Sequence, residues 1–487
     1  MQLRIFAGRA APAAPRHAST RLTALIVASA LFMEQLDATV LSTALPDMAR
    51  SFDASPLNMS VALTSYLLSL AVFIPASGKI ADRLGSRTVF RAAIALFTLG
   101  SILCGLATSL PFLVASRILQ GMGGAMMVPV GRLVLLRTTP KSELVSAMAW
   151  LLIPATVGPV VGPPVGGFIA TYLSWRWIFD INVPIGLLGI TLVTLFIEDV
   201  REPEPGPFDV AGLALSGVAL SCLMFGLETA SRGAASPAAA TALLAVGGLS
   251  GALYLRHAAR HPHPILDMRL LRVPTFGLSV LSGSLFRIAI GATPFLLPMM
   301  LQLGFGMTAA QSGLITFASA AGSLVMRGVA PRVLRRIGFR RALVWNGILS
   351  ASLLALYAAF RPGWPLAAIY AVLLAGGFFQ SLQFTAYNTI AYADIPRREM
   401  SSATSFYSTF QQLSLTLGIS VSAAVLAASI RVTGHAAPTP GDFSLAFLVV
   451  AGFALAAAPA AARLAADAGA EVSGYVAPRR LRDAPAE

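Results

Sequence analysis

Ionisable side chains stand where this sequence is otherwise apolar: Glu34, Asp37, Arg117, Arg132 and Arg287 all fall inside long hydrophobic runs. Placing such a group in hydrocarbon costs at least ~2.5–3.5 kcal/mol on insertion scales, so each is a functional candidate by default. Glu34 and Asp37 are three residues apart, one turn along the same face of a helix. Two carboxyls that close, away from bulk water, resist being ionised together, and a carboxyl that keeps its proton can carry one. Arg287, near the middle of its own run, either neutralises Asp37 or Glu34 or binds an anionic substrate. Arg132 stands near the end of a run, where a long side chain can snorkel to the interface. Gln380, Gln383, Asn388, Gln411 and Gln412 either line a polar cavity or hydrogen-bond one helix to another. His257, His261 and His263 fall in a basic, polar stretch with no carboxylate or thiol at ligand spacing, so they read as solvated, and no metal site or cofactor is expected.

The elements that must position these groups are membrane helices. Only 11% of the 487 residues are charged and 56% are hydrophobic, where a soluble domain carries about 25% charged residues. The mean hydropathy is +0.75. Apolar runs long enough to cross a bilayer recur at 22–45, 61–78, 92–108, 111–131, 144–171, 178–197 and 210–227. A second set follows at 238–255, 275–302, 312–326, 342–360, 364–390, 403–430 and 444–462. Cys104 and Cys222 both lie in such runs, which supports neither a disulfide framework nor a metal knuckle. Residues 1–21 carry four arginines and no acid or long apolar core, as a basic tail rather than a cleaved signal would.

Fourteen spans with the N-terminus inside place 27 of the 35 Lys and Arg residues on the inner side and five outside. That asymmetry predicts cytoplasmic termini. The net charge of +14 then faces anionic lipid and calls for no nucleic-acid partner. The segment 198–209 is locally acidic and Pro-rich, as a linker between groups of helices would be.

An internal repeat organises the spans. Segment 78–87 (GKIADRLGSR) aligns with 331–340 (PRVLRRIGFR) at an offset of 253, matching three basic and three aliphatic positions and pairing Gly85 with Gly338. Two six-helix halves separated by two inserted helices give that spacing. The expected organisation is an all-α membrane protein: a tail (1–21), a six-helix bundle (22–197), a linker with two extra helices (198–274), a second bundle (275–463) and a cytosolic tail (464–487).

Five motifs in order resemble the major facilitator superfamily, and within it the fourteen-span branch of drug:proton antiporters. Segment 78–87 is similar to the superfamily's charge-relay signature, with Asp82, Arg83 and Arg87 in place and Ser86 where a second base is usual. Leu36 to Pro46 is similar to the branch's first-helix motif, Asp37 being its acid and Glu34 an addition. Arg117 to Gly124 resembles the motif whose arginine takes part in proton coupling. Segment 158–167 resembles the antiporter motif through Gly158, Pro159, Gly162, Pro163, Gly166 and Gly167, with Ala149 replacing its outermost glycine. Trp175 to Gly186 matches the branch except at Asp180. The resemblance implies proton coupling by Asp37, Glu34 and Arg117, and a conformational charge relay at Asp82, Arg83 and Arg87. It also implies a bacterial inner-membrane location and one chain as the functional unit, with a periplasmic adaptor as a candidate partner. Independently of it, Gly158, Gly162 and Gly166 are four apart and share one helix face, which lets another helix approach closely.

The sequence has no GxxxxGK[ST] loop, so nucleotide hydrolysis is not the expected drive, and it has no HExxH, GxSxG or Cys-based site for an enzyme. Three readings follow. One is a proton-coupled multidrug exporter working by alternating access, taking a small molecule and protons as its partners across the bilayer. The second is an exporter of anionic metabolites or metal chelates, for which three in-span arginines against two acids argue. The third, a transporter-like sensor, would need a soluble output domain that the short inter-span segments do not supply.

Overall fold

A computed structural model describes residues 20–139, 144–199, 208–232, 237–396, 399–435 and 437–475. Nearly all of the N-terminal tail, most of the acidic linker, the last part of the C-terminal tail and the side chain of Ala149 lie outside the described residues.

The described secondary structure is helical throughout. In bilayer hydrocarbon only a helix or a closed barrel satisfies every backbone N–H and C=O, and runs this long and this apolar choose the helix. The first group of long helices is α1 (Thr20–Val40), α2 (Ser60–Leu84), α3 (Ser86–Gly105), α4 (Leu110–Thr138), α5 (Leu144–Tyr172) and α6 (Asn182–Phe196). A hairpin follows, α7 (Val210–Arg232) and α8 (Pro237–Arg260). The second group is α9 (Pro274–Met299), α10 (Ala309–Ile337), α11 (Gly347–Tyr357), α12 (Leu366–Ile390), α13 (Met400–Thr433) and α14 (Pro440–Ala461). Among the described residues, twelve helices are long and apolar enough to cross a membrane; α5 and α11 stand outside that set. Side chains close the ends where loops are short. Ser109 accepts from Phe112 N–H ahead of α4, and capping boxes at Thr308/Gln311 and Thr439/Asp442 start α10 and α14.

The repeat read from two short segments extends through the backbone. With the same offset of 253, the end of α2 at Leu84 falls on the end of α10 at Ile337, and Ser86 at the start of α3 falls on Phe339. Gly85 and Gly338 are the single breaks between these helices, at φ +92° and +75°, a region that L side chains avoid. The signature expected as a loop is therefore the continuation of α2 with one glycine hinge. The same applies to its partner segment at the end of α10, a helix that also takes in Arg327, just past the apolar run 312–326. Packing follows the repeat as well: α1 on α5 matches α9 on α13, and α2 on α4 matches α10 on α12. The two groups meet through α5 against α10 and through α2 against α13, again a repeat-related pair. The hairpin sits outside this core. Its α7 touches both α2 and α13, while α8 packs chiefly on α7.

Candidate functional site

Asp37 is sealed inside the first group of helices. Arg117 Nη1 on α4 stands 2.6 Å from Asp37 Oδ2, and both side chains are 0% exposed. Gln120 Nε2 donates to Asp37 Oδ1 at 2.9 Å and Asn182 Nδ2 donates to the same oxygen at 3.1 Å. Both amides also donate to Ser101 Oγ on α3, at 2.8 and 3.3 Å. Arg117 Nη1 donates to Gln120 Oε1 and its Nε to the carbonyl of Ala62 on α2, and the guanidinium lies 4.2 Å from the ring centre of Tyr66. A buried ion pair repays its desolvation only with such supplementary hydrogen bonds, and losing one partner costs ~3–5 kcal/mol. The pair thus ties α1 to α4, with α2, α3 and α6 supplying the cage. Sequence reasoning named Asp37 and Arg117 but passed over Gln120, Asn182, Ser101 and Tyr66. The signal was present for the two amides, polar residues within otherwise apolar motifs.

Glu34 turns the other way. It lines a cavity of about 480 Å³ between the two groups of helices, facing Asn388, Tyr392, Tyr407 and Gln411 across from Arg132. Its Oε2 is buried and has no hydrogen-bond partner among the described residues. Arg132 opens into this cavity instead of reaching for the helix end, because α4 continues to Thr138. Arg287 does not neutralise Asp37 or Glu34. It is buried among neutral groups of its own half, donating to Tyr407 Oη at 2.7 Å and Asn388 Oδ1 at 3.4 Å and stacking over the rings of Tyr407 and Phe384.

A second chamber of about 300 Å³ adjoins it at Phe384, lined by Thr39, Pro159, Pro163, Pro294, Arg327 and Gln380 among others. Of the expected cavity residues, Gln380, Asn388, Gln411 and Gln412 do line one of these spaces. Gln383 does not: it accepts from Asn346 Nδ2 at 2.9 Å and donates to the Leu343 carbonyl at 2.8 Å. It fastens α12 to the π-helical stretch Ala342–Asn346 that leads into α11.

The proline–glycine helix α5 forms part of the wall of the second chamber through Pro159 and Pro163. Any Cβ at Gly158, Gly162 or Gly166 would run into α1 at Gln35, Thr39 and Val40, respectively. Gly167 faces the Ala309 carbonyl of α10, and Gly313 of α10 faces the Pro163 carbonyl. At the same end Ala310 N–H donates to Thr171 Oγ1 and Gln302 Nε2 donates to the Thr43 carbonyl, each at 2.9 Å across the two groups. The cavity is closed there.

At the opposite end, Arg87 Nη1 donates to the Ile197 carbonyl at 3.3 Å, and Arg83 lies over the Phe208 ring. A Cβ on Gly85 would strike the Asp199 carboxylate, so the hinge glycine also admits that acid. Asp82 and Lys79 border a cleft that reaches Ser401 and Ser405 at the start of α13.

The histidines depart from expectation. His257 Nε2 lies 2.7 Å from Asp209 Oδ1, a carboxylate 48 positions away in sequence, and its ring stacks on His261 at 5.1 Å. Asp209 also caps α7 through Gly212 N–H at 2.8 Å and accepts from Ile265 N–H at 3.2 Å. Burial pushes the Asp209 carboxyl up, but the Gly212 N–H, the His257 imidazole and the Ile265 N–H together outweigh it and hold it below its ordinary value. Both oxygens are already engaged, so this constellation closes the hairpin.

The profile of the Major Facilitator Superfamily matches residues 27–419. The protein provisionally named multidrug resistance protein MdtD of Salmonella heidelberg is 39% identical over 414 residues, covering 84% of this chain and 87% of its own. Its counterpart in Citrobacter koseri is 39% identical over 410 residues, covering 84% and 86%. The crystal structure of an auto-inhibited POT-family peptide transporter superposes with a TM-score of 0.66 at 16% identity, over 91% of this chain and 96% of that one. That of the nucleoside transporter NupG gives 0.62 at 14%, over 91% and 99%, so the likeness concerns the fold. This multi-pass helical membrane protein belongs to the major facilitator superfamily of transporters.

Proposed function

We propose that this chain exports a small molecule in exchange for protons, by alternating access across a bacterial inner membrane with both termini in the cytoplasm. In this reading α5 and α11 also cross, giving fourteen spans, and residues 22–197 and 275–463 form the two moving bundles around the linker 198–274. The carrying observation is the Asp37–Arg117 pair, fully buried and one helical turn from Glu34, which opens into the cavity. A proton on Asp37 removes its charge and loosens its hold on Arg117, so α1 and α4 become free to shift. Glu34 is the acid through which that proton meets cavity water. The closed contacts of α5 with α10 lie at the outer end, and the conformer faces inward. Asp82, Arg83 and Arg87 govern the exchange between conformers from the inner rim, where the relay borders the other bundle. The relatives' name supports a multidrug substrate range. Arg132, in the cavity lining with Glu34, and Arg287, whose hydrogen-bond partners are neutral, favour organic anions as a second reading.

The test pairs two assays in the same proteoliposomes, counterflow and uptake driven by an imposed pH gradient, against a panel of organic cations and anions. Asp37→Asn should keep counterflow and lose pH-driven transport. Glu34→Gln should shift the pH optimum and lose less. Full pH-driven transport by Asp37→Asn would sink the assignment, and loss of coupling in Glu34→Gln alone would make Glu34 the carrier.

A further inference from the structure

The hairpin α7–α8 takes no part in the cavity, yet its inner end carries a cleft of about 430 Å³. The cleft is lined by Arg256, His257 and Arg260 from the last turns of α8 and by His261 just beyond it, with Leu215 of α7 and Leu253 of α8. Arg256 and Arg260 are four apart on one face, exposed, and without a hydrogen-bond or ion-pair partner among the described residues. Among the described residues, the acid that bonds the lining of this cleft is Asp209, which is buried and gives its oxygens to His257 and two backbone N–H groups. That bond and the ring stacking fix the two imidazoles beside the arginines. Below the charged rim, Leu249 and Leu253 of α8, four apart on one face, are exposed along a helix that packs chiefly on α7. The cleft therefore joins a cationic rim to an apolar groove at the end of a membrane helix.

We infer that this cleft binds one anionic phospholipid of the inner leaflet, its phosphate between Arg256 and Arg260 and its acyl chain along Leu253. Basic pockets between membrane helices on the cytoplasmic side suit such headgroups, and guanidinium forks match phosphate oxygens in pairs. The assignment rests on the proposed orientation, which puts this end of α8 at the cytoplasmic surface. A metal cation fits poorly, since two guanidinium groups flank the histidines and the carboxylate already accepts three hydrogen bonds. Because α7 touches both α2 and α13, a lipid held here braces the hairpin against the seam where the bundles meet.

The experiment uses the purified, delipidated full chain in detergent, reading thermal unfolding and, by native mass spectrometry, retained lipid. Dioleoylphosphatidylglycerol should stabilise it at a concentration about ten-fold or more below that needed of dioleoylphosphatidylcholine. Arg256→Gln/Arg260→Gln should abolish the difference, while Arg341→Gln/Arg463→Gln, which removes as much charge from the same side, should keep it. Equal loss in both double variants would reduce the effect to bulk surface charge and overturn the site. So would equal response to the two lipids in the unaltered protein. Inorganic phosphate giving the same shift in the same concentration range would make the cleft a free-anion site and overturn the lipid. The readouts do not involve transport, so failure here leaves the proton-exchange proposal standing, and the reverse holds too.

Discussion

Asp37 and Asp209 meet the same demand, a buried carboxylate that needs donors, and answer it differently. Asp37 collects a guanidinium and two side-chain amides within the membrane, while Asp209 collects two backbone N–H groups and an imidazole at the rim. Asp37 and Arg117 could be named from sequence because ions in apolar runs are conspicuous. His257 could not be read correctly, because its partner is 48 residues away and only the hairpin brings them together. Asp209 allows a prediction with a definite sign. Its folded-state carboxyl is held below the ordinary value of 3.8, so the native state binds that proton less tightly than the unfolded chain. The resulting stability is complete above the unfolded value and is lost as pH falls through the folded one. Asp209→Asn should therefore lower the unfolding temperature at about pH 7, and the gap from wild type should narrow toward about pH 3. A gap that stays constant over that range would show that Asp209 contributes by packing alone.

Helix existence was legible and helix ends were not. The apolar runs locate each long helix, but α2 continues through Lys79, Asp82 and Arg83, and α10 through Arg327 and Arg332. Charged residues end a hydropathy run without ending a helix; the backbone breaks only at Gly85 and Gly338, where φ turns positive. This is why Arg327, just past the apolar run 312–326, lines a chamber from within α10. The face of small residues on α5, by contrast, followed directly from the four-residue spacing of Gly158, Gly162 and Gly166. Its contacts with α1 differ in kind. A Cβ on Gly166 meets the Val40 carbonyl, which is backbone, whereas a Cβ on Gly162 meets the Thr39 side chain, whose hydroxyl can be removed while its Cβ, 2.8 Å away, stays in place. Gly166→Ala should thus be the more damaging, by ~1–3 kcal/mol as overpacking, with slowed transport in counterflow. Gly162→Ala should be milder and should be restored in part by Thr39→Ala in the double variant, a coupling that a cycle of unfolding measurements reads. If Thr39→Ala restores nothing, α1 does not ride on α5 as the structure has it.

The molecule is two copies of one packing plan joined along two seams, α5 with α10 and α2 with α13, and the hairpin α7–α8 lies against the second. Short similar segments in the sequence pointed to this plan; what they could not convey was that the offset holds for whole helices and their contacts. Sidedness is the remaining feature of this scale. It rests on the distribution of Lys and Arg, 27 inside against five outside, and on α5 and α11 crossing as the other helices do. Exposed positions in the structure make the test direct: Leu173 after α5, Gly363 after α11, Ile337 at the end of α10 and Ala465 beyond α14. Each is replaced singly by cysteine in a background without Cys104 and Cys222, and labelled with an impermeant maleimide in intact spheroplasts and in inverted vesicles. Leu173 and Gly363 should react only from outside, Ile337 and Ala465 only from the cytoplasm. Were α11 and its leading segment to stay on one side, Ile337 and Gly363 would label together; were α5 to do so, Leu173 would label from within. The first outcome reduces the number of spans beyond α10; the second does so too and moves the closed α5–α10 contact away from the outer surface, and with it the inward-facing assignment of the cavity that Glu34 lines.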